Sequence, residues 1–161
     1  MIAFMTFIEV GGKYIAGYLG TDDELVPMEF IYTEYIEPPT KLEKILHGNK
    51  FESRWYGEVI AGTLFKGAQK SKNTEKAPIK AIFVSHDKML NLRRNTGEVP
   101  VLHITDKNET LVHDDYSKDL QLLNDLLREK ISYADTQEVF DRIKKGIEES
   151  ISTNEKITAE H

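Results

Sequence analysis

Cysteine is absent from all 161 residues. The chain therefore has no disulfide framework, no thiol nucleophile and no cysteine-ligated zinc centre, and a reducing cytoplasm suits it. Proline and glycine are sparse, at 5 and 10 residues, which excludes a collagen-like or low-complexity polymer. Positive charge is in deficit: 21 Lys and Arg against 27 Asp and Glu give a net charge of −6. General affinity for polyanions comes from Lys and Arg neutralising phosphates, so any contact with nucleic acid needs a local basic patch. Long apolar runs are missing too. The opening "MIAFMTFIEV" has no Lys or Arg before its hydrophobic residues and no small-residue cleavage site, unlike a signal peptide, and it is too short to span a bilayer. A cytoplasmic protein without membrane contact is expected.

What is present is ordinary for a globular domain: 40% hydrophobic and 30% charged residues, in a length that suits one core. Residues 1–151 read as that single α/β domain. From Ser152 the chain has little to bury, and residues 152–161 read as a flexible tail.

Three strands are expected first, over residues 2–10, 13–19 and 28–36. Ile2, Phe4, Ile8 and Val10 fall on one face of the first, and Ala3, Met5 and Phe7 on the other, as in a strand covered on both sides. Gly11 and Gly12 supply the positive backbone angles of a tight hairpin. Thr40 and Glu43 match a capping box for a short helix with Leu42, Ile45 and Leu46 on its apolar stripe. A longer helix follows over residues 51–68, striped by Phe51, Trp55, Val59 and Phe65. Within it, the small residues Gly57, Ala61 and Gly62 would let a neighbouring element approach closely.

The polar stretch "KGAQKSKNTEKAPIK" holds five lysines against one acid and reads as a loop. After it come a buried strand "IKAIFV", a short helix around Lys88 to Arg94, and the strand "VPVLHI". The connection from Ser85 to Glu98 is just long enough for a crossover between parallel strands. Helices close the chain. Leu120, Leu123 and Leu127 stripe one, and Val139, Phe140, Ile143, Ile147 and Ile151 the next, with Asp135 as its expected cap. The two are expected to form a helical hairpin, their stripes sealing either the core or a homodimer interface.

Three stretches bear on function. In "FIEVGGKYIAGYLG" an acid, Glu9, stands just before the Gly-Gly turn. In "YGEVIAGTLFKGA" Glu58 precedes a run of apolar and small residues on the long helix. In "FVSHDKML" a buried strand ends in Ser85, His86 and Asp87 before turning helical. These stretches, with the order β-β-β, α, β, α, β and closing helices, resemble the ribonuclease H-like superfamily over roughly residues 2–131. The resemblance implies a mixed sheet, with an antiparallel meander and a parallel βαβ unit, flanked by helices. It also implies a metal-dependent phosphodiester hydrolase acting on nucleic acid, in which Glu9, Glu58 and Asp87 are catalytic and, with Asp115, bind magnesium or manganese. Two such ions about 3.5–4 Å apart activate water and stabilise the leaving oxygen, and hard ions prefer carboxylate oxygens. Lys66, Lys70, Lys72 and Lys76 would engage phosphate.

The pattern also departs from the family. The first acid is Glu where the family has Asp, and the third place offers His86 or Asp87. Plainer readings exist for each acid: Glu9 as a solvated strand end, Glu58 as the partner of Arg54, and Asp87 as a helix cap. The alternative is an inactive member of the same fold acting as an interaction or assembly module, with the C-terminal helices as contact surface. A zinc site built from His86, His103 and His113 is also conceivable.

Overall fold

The two-faced alternation of the opening segment sets the centre of the molecule. The computed structural model describes residues 1–70, 77–126 and 130–159. In it, β1 (Ile2–Val10) carries Ala3 and Met5 into one apolar layer, and Ile2 and Phe4 into the other. β2 (Lys13–Thr21) pairs with it antiparallel from Ile2 opposite Thr21 to Val10 opposite Lys13. The turn between them is Gly11 and Gly12, at φ 57° and 81°. Two consecutive positive φ values are what a type I′ hairpin demands and what most side chains resist.

β3 (Pro27–Tyr32) extends the meander along β2. Its regular pairing ends four residues short of the expected boundary, and Ile36 rejoins β2 as an isolated antiparallel bridge to Tyr14. The Thr33 amide donates to the Ala16 carbonyl at 2.9 Å, and the Ala16 amide donates to Thr33 Oγ1 at 3.0 Å. On the other side β4 (Ala81–Val84) lies parallel to β1, β5 (Val101–Ile104) parallel to β4, and β6 (Thr110–Leu111) antiparallel to β5. The six strands run β3-β2-β1-β4-β5-β6. Meander and βαβ unit thus share one mixed sheet, joined where β1 meets β4.

One face is covered by helices from the middle of the chain. α1 (Lys41–His47) begins at the expected capping box of Thr40 and Glu43. A 3-10 turn, Gly48–Lys50, leads into α2 (Phe51–Arg54), which continues through a π-helical segment, Trp55–Ile60, into α3 (Ala61–Gln69). Trp55, Ile60, Leu64 and Phe65 pack over Met5, Ala16 and Tyr18. The crossover Asp87–Asn95 is 3-10 rather than α-helical and adds Met89, Leu90 and Leu92 to this layer. Gly57 is the point of close approach: a Cβ there would stand 2.6 Å from Asn91 Cβ and 3.2 Å from its backbone.

The opposite face is covered by α5 (Tyr133–Ala159), which lies across β1 and β2. Its Val139, Phe140, Ile143 and Ile147 are buried against Phe4, Ile15, Leu19 and Phe83. Gly17 on β2 admits the helix, since a Cβ there would collide with Ile143 Cγ2. The α5 stripe therefore seals the core and is not free to form the homodimer interface. α4 (Asp119–Leu126) leaves Leu120 and Leu122 exposed; Leu127 and the rest of the link, residues 127–129, lie outside the described residues. Ser132 and Asp135 exchange backbone-to-side-chain bonds of 2.9 and 3.1 Å, a reciprocal cap that puts Asp135 inside the first turn instead of at its head. α5 also continues past Ser152 to Ala159, in a sequence with no Gly or Pro after Gly146 to stop it.

A buried ion pair ties the crossover to α4. Arg93 Nε donates to Asp119 Oδ2 at 2.7 Å, both side chains are buried, and the guanidinium sits 4.1 Å from the centre of the Tyr116 ring. Removing one partner strands the other charge in a site of low dielectric. Arg93→Ala is expected to cost about 3–5 kcal/mol in urea unfolding. The Arg93→Ala/Asp119→Ala double variant should lose clearly less than the sum of the single losses.

Tyr18 gives a pH prediction. Its side chain is fully buried, and burial, reinforced by nearby Glu29, pushes its phenol above the ordinary 10.0. Unfolded tyrosine ionises near that ordinary value while folded Tyr18 stays neutral. The unfolded state therefore loses protons first, and stability falls as pH rises past about 10. Thermal melts from about pH 8 to about pH 11 should show this decline, and Tyr18→Phe should flatten it.

Candidate functional site

Parallel β1 and β4 present their carboxyl ends at the same sheet edge, and the long helix crosses above them. Their register runs from Ile2 beside Ala81 to Met5 beside Val84, and the Ser85 amide donates to the Met5 carbonyl at 3.2 Å. The next side chains on the helix-covered face are Phe7 and His86, with ring centres 6.5 Å apart. Tyr56, in the π-helical segment, meets both, at 5.5 Å from Phe7 and 4.2 Å from His86. The Tyr56 and His86 rings stack at 13°. Tyr14 and Trp55 extend the cluster, with Phe7–Tyr14 at 6.0 Å and Tyr14–Trp55 at 5.7 Å. Burial raises the Tyr56 phenol pKa, and Tyr14, Glu52 and Glu9 add to the rise.

The three acids expected to meet here lie around this cluster instead of within it. Glu9 shares the face of Phe7 but stands two residues, or about 7 Å, further along β1, exposed beside the hairpin and opposite Tyr14. Glu58 is exposed on its helix, 3.7 Å from Arg54 Nε one turn away. Asp87 is exposed, with Oδ1 3.2 Å from His86 Nδ1. His86, not Asp87, caps the crossover: its backbone is extended and its Nδ1 accepts from the Lys88 amide at 3.0 Å.

Asp115 is at the other end of the sheet. It pairs with Arg94 at 3.2 Å and lines an open groove of about 900 Å³ with Pro78, Lys80 and Pro100, which lead into β4 and β5. The crossover carries the chain back across the sheet, and this separates Asp115 from the strand carboxyl ends. Lys66 and Lys70 are exposed near the end of α3, whereas Lys72 and Lys76 lie outside the described residues. His103 Nδ1 is 2.9 Å from the Val84 carbonyl, and His113 Nδ1 accepts from the Asp115 amide at 3.1 Å, so both histidines are engaged by backbone. Among the described residues, no group of three or more His, Asp or Glu is arranged to hold a metal ion.

Phe7 and Glu9 share one face of β1, so strand alternation alone does not select which of them stands beside His86. The strand register makes Phe7 the neighbour of His86. Energetically the stack should outweigh the exposed pair beside it. Tyr56→Ala is expected to lose about 2 kcal/mol, below the range for a fully buried aromatic, while Glu58→Gln should change stability by less than about 0.5 kcal/mol. Urea unfolding of the two variants compares them directly.

No family model matches the chain, and no curated protein does. Among solved structures the chain is similar to endonuclease V of Ciona intestinalis, crystallised with a 23-mer DNA containing an inosine followed by a ribo-adenosine. The TM-score is 0.40 with 10% sequence identity, and the match covers 77% of this chain and 52% of that one.

Proposed function

We propose that the chain is a ribonuclease H-like domain that works as a non-catalytic interaction module. The fold part of this reading is supported by the order of elements and by the union of meander and βαβ unit in one mixed sheet. The observation that carries the functional part is the Phe7–Tyr56–His86 stack at the junction of β1, β4 and the long helix. A two-metal centre requires carboxylate oxygens converging on a pair of ions. A phenyl ring, a phenol and an imidazole provide no such set of hard donors there. Glu58 has the ion pair and exposure of a solvated surface residue.

The contact surface of the module is α1. Leu42, Ile45 and Leu46 are 63%, 66% and 72% exposed, so the whole apolar stripe of a well-capped helix faces solvent. Such a stripe suits a partner with a complementary apolar groove. Of the two C-terminal helices expected as the surface, α5 has its stripe buried, while α4 exposes Leu120 and Leu122 less fully than α1 exposes its stripe.

The competing reading is catalytic: Glu9, Glu58 and Asp87, aided by Asp115, would hold magnesium or manganese for phosphodiester hydrolysis. Calorimetric titration with each ion, followed by incubation with single- and double-stranded DNA and RNA, separates the two. The module reading expects neither saturable metal binding nor cleavage. Manganese-dependent cleavage abolished by Glu9→Gln or Asp87→Asn would overturn it.

A further inference from the structure

α1 is formed as a helix although it buries none of its seven residues. At that length an isolated helix is marginal in water, and most helices are held by packing one face. This one is held at its head. Glu43 Oε1 accepts from the Thr40 amide at 3.4 Å and from the Thr40 hydroxyl at 3.2 Å, and the Glu43 amide donates to Thr40 Oγ1 at 3.1 Å. Leu42, Ile45 and Leu46, at i, i+3 and i+4, are thereby set on one outward stripe in the free chain, which lowers the ordering cost of binding.

The exposed charges around that stripe are of one sign. Lys41 lies one turn before Ile45, at the border of the stripe, and Lys44 and Lys50 follow on the same segment; all three are exposed. Among the described residues, none of the three lies within ion-pair distance of a carboxylate. The helix's own acid, Glu43, is half-buried and turned back onto Thr40. In a chain of net charge −6, the rim of this stripe is locally basic.

We propose that α1 docks against an acidic amphipathic helix of a partner protein, whose apolar groove takes Leu42, Ile45 and Leu46 and whose bordering carboxylates face Lys41, Lys44 and Lys50. The inference rests on the reading of α1 as the contact surface and adds the chemistry of what it contacts. Side chains at i, i+3 and i+4 form ridges that fit the grooves of a second helix, and charges bordering an apolar seam select the partner. The α1 of a second copy is excluded as that partner, because its basic rim would set lysines against lysines. An anionic bilayer shares the demand for lysines, but as a plane it also meets the acidic remainder of the surface, whereas one helix meets only the basic rim.

Two synthetic helical peptides serve as probes, with the same leucine seam bordered by glutamates in one and by lysines in the other. Fluorescence anisotropy with the full chain at low salt should show the glutamate peptide binding about tenfold tighter than the lysine peptide, and the gap should close at about 1 M salt. Lys41→Glu/Lys44→Glu/Lys50→Glu should reverse the preference. Leu46→Asp should abolish binding of both peptides, with circular dichroism unchanged in both variants. Equal binding of the two peptides, lost in Leu46→Asp, would overturn the acidic partner and leave α1 as the contact surface. Binding that Leu46→Asp leaves intact, or no binding of either peptide, would overturn both. Co-sedimentation with phosphatidylserine vesicles that Leu46→Asp abolishes, with neither peptide preferred, would overturn the proposal in favour of a lipid surface.

Discussion

The seam between β1 and β4 is the interaction on which the rest of the structure depends. Residues 2–5 and 81–84 run side by side over four residue pairs. Those pairs join an N-terminal hairpin system of local contacts to a βαβ unit that begins some eighty positions later. The seam is buried on both faces, with Phe4 stacked on Phe83 at 5.3 Å on one side and Met5 and Val84 in the layer under the long helix on the other. Water is thus excluded from both sides of the hydrogen-bonded ladder, where unpaired backbone groups would be costly. The chain start reinforces the seam: the Met1 ammonium donates to the Pro78 carbonyl at 3.0 Å, and the Lys80 amide donates to the Met1 carbonyl at 2.8 Å.

From that seam follows the character of the sheet's carboxyl edge, the usual place for ligands in open α/β sheets. Two parallel strands ending together under a helix make a three-sided corner, and its chemistry depends on which side chains the register delivers. Here it delivers Phe7 and His86, and the helix adds Tyr56 through its π-helical turn. The widened turn coincides with Gly57, where the crossover presses against the helix. The corner is consequently a packed aromatic plug that continues the core outward through Tyr14 and Trp55. Glu9, Glu52 and Asp87 surround it without converging inside it.

The two sheet edges differ in how they are closed. At one end β6 is only two residues long, and short edge strands resist further pairing. At the other, β3 is longer and apolar on its exposed face. The acidic balance of the chain, −6, disfavours indiscriminate self-association. Local pairs such as Lys80–Asp23 at 2.9 Å and Lys13–Glu37 at 3.0 Å offset acids near either end of β3.

Period-2 and near-3.6 patterns were legible in the chain because they express burial of one or two faces, a local property of each segment. The alternation of Ile2 to Val10, the Gly11-Gly12 hairpin, the Thr40–Glu43 box and the α5 stripe were determined in this way, and so was the order of elements that suggested one mixed sheet. Boundaries set by distant partners were not. β3 loses its regular pairing where Thr33 Oγ1, from a residue seventeen positions away, takes the Ala16 amide. Above all, only the tertiary structure decided which residue of β1 stands beside His86. Parallel register is fixed by packing between strands far apart in sequence, and a shift of two residues keeps the same face while exchanging Glu9 for Phe7. That exchange turns a corner expected to hold carboxylates into one lined with aromatic rings.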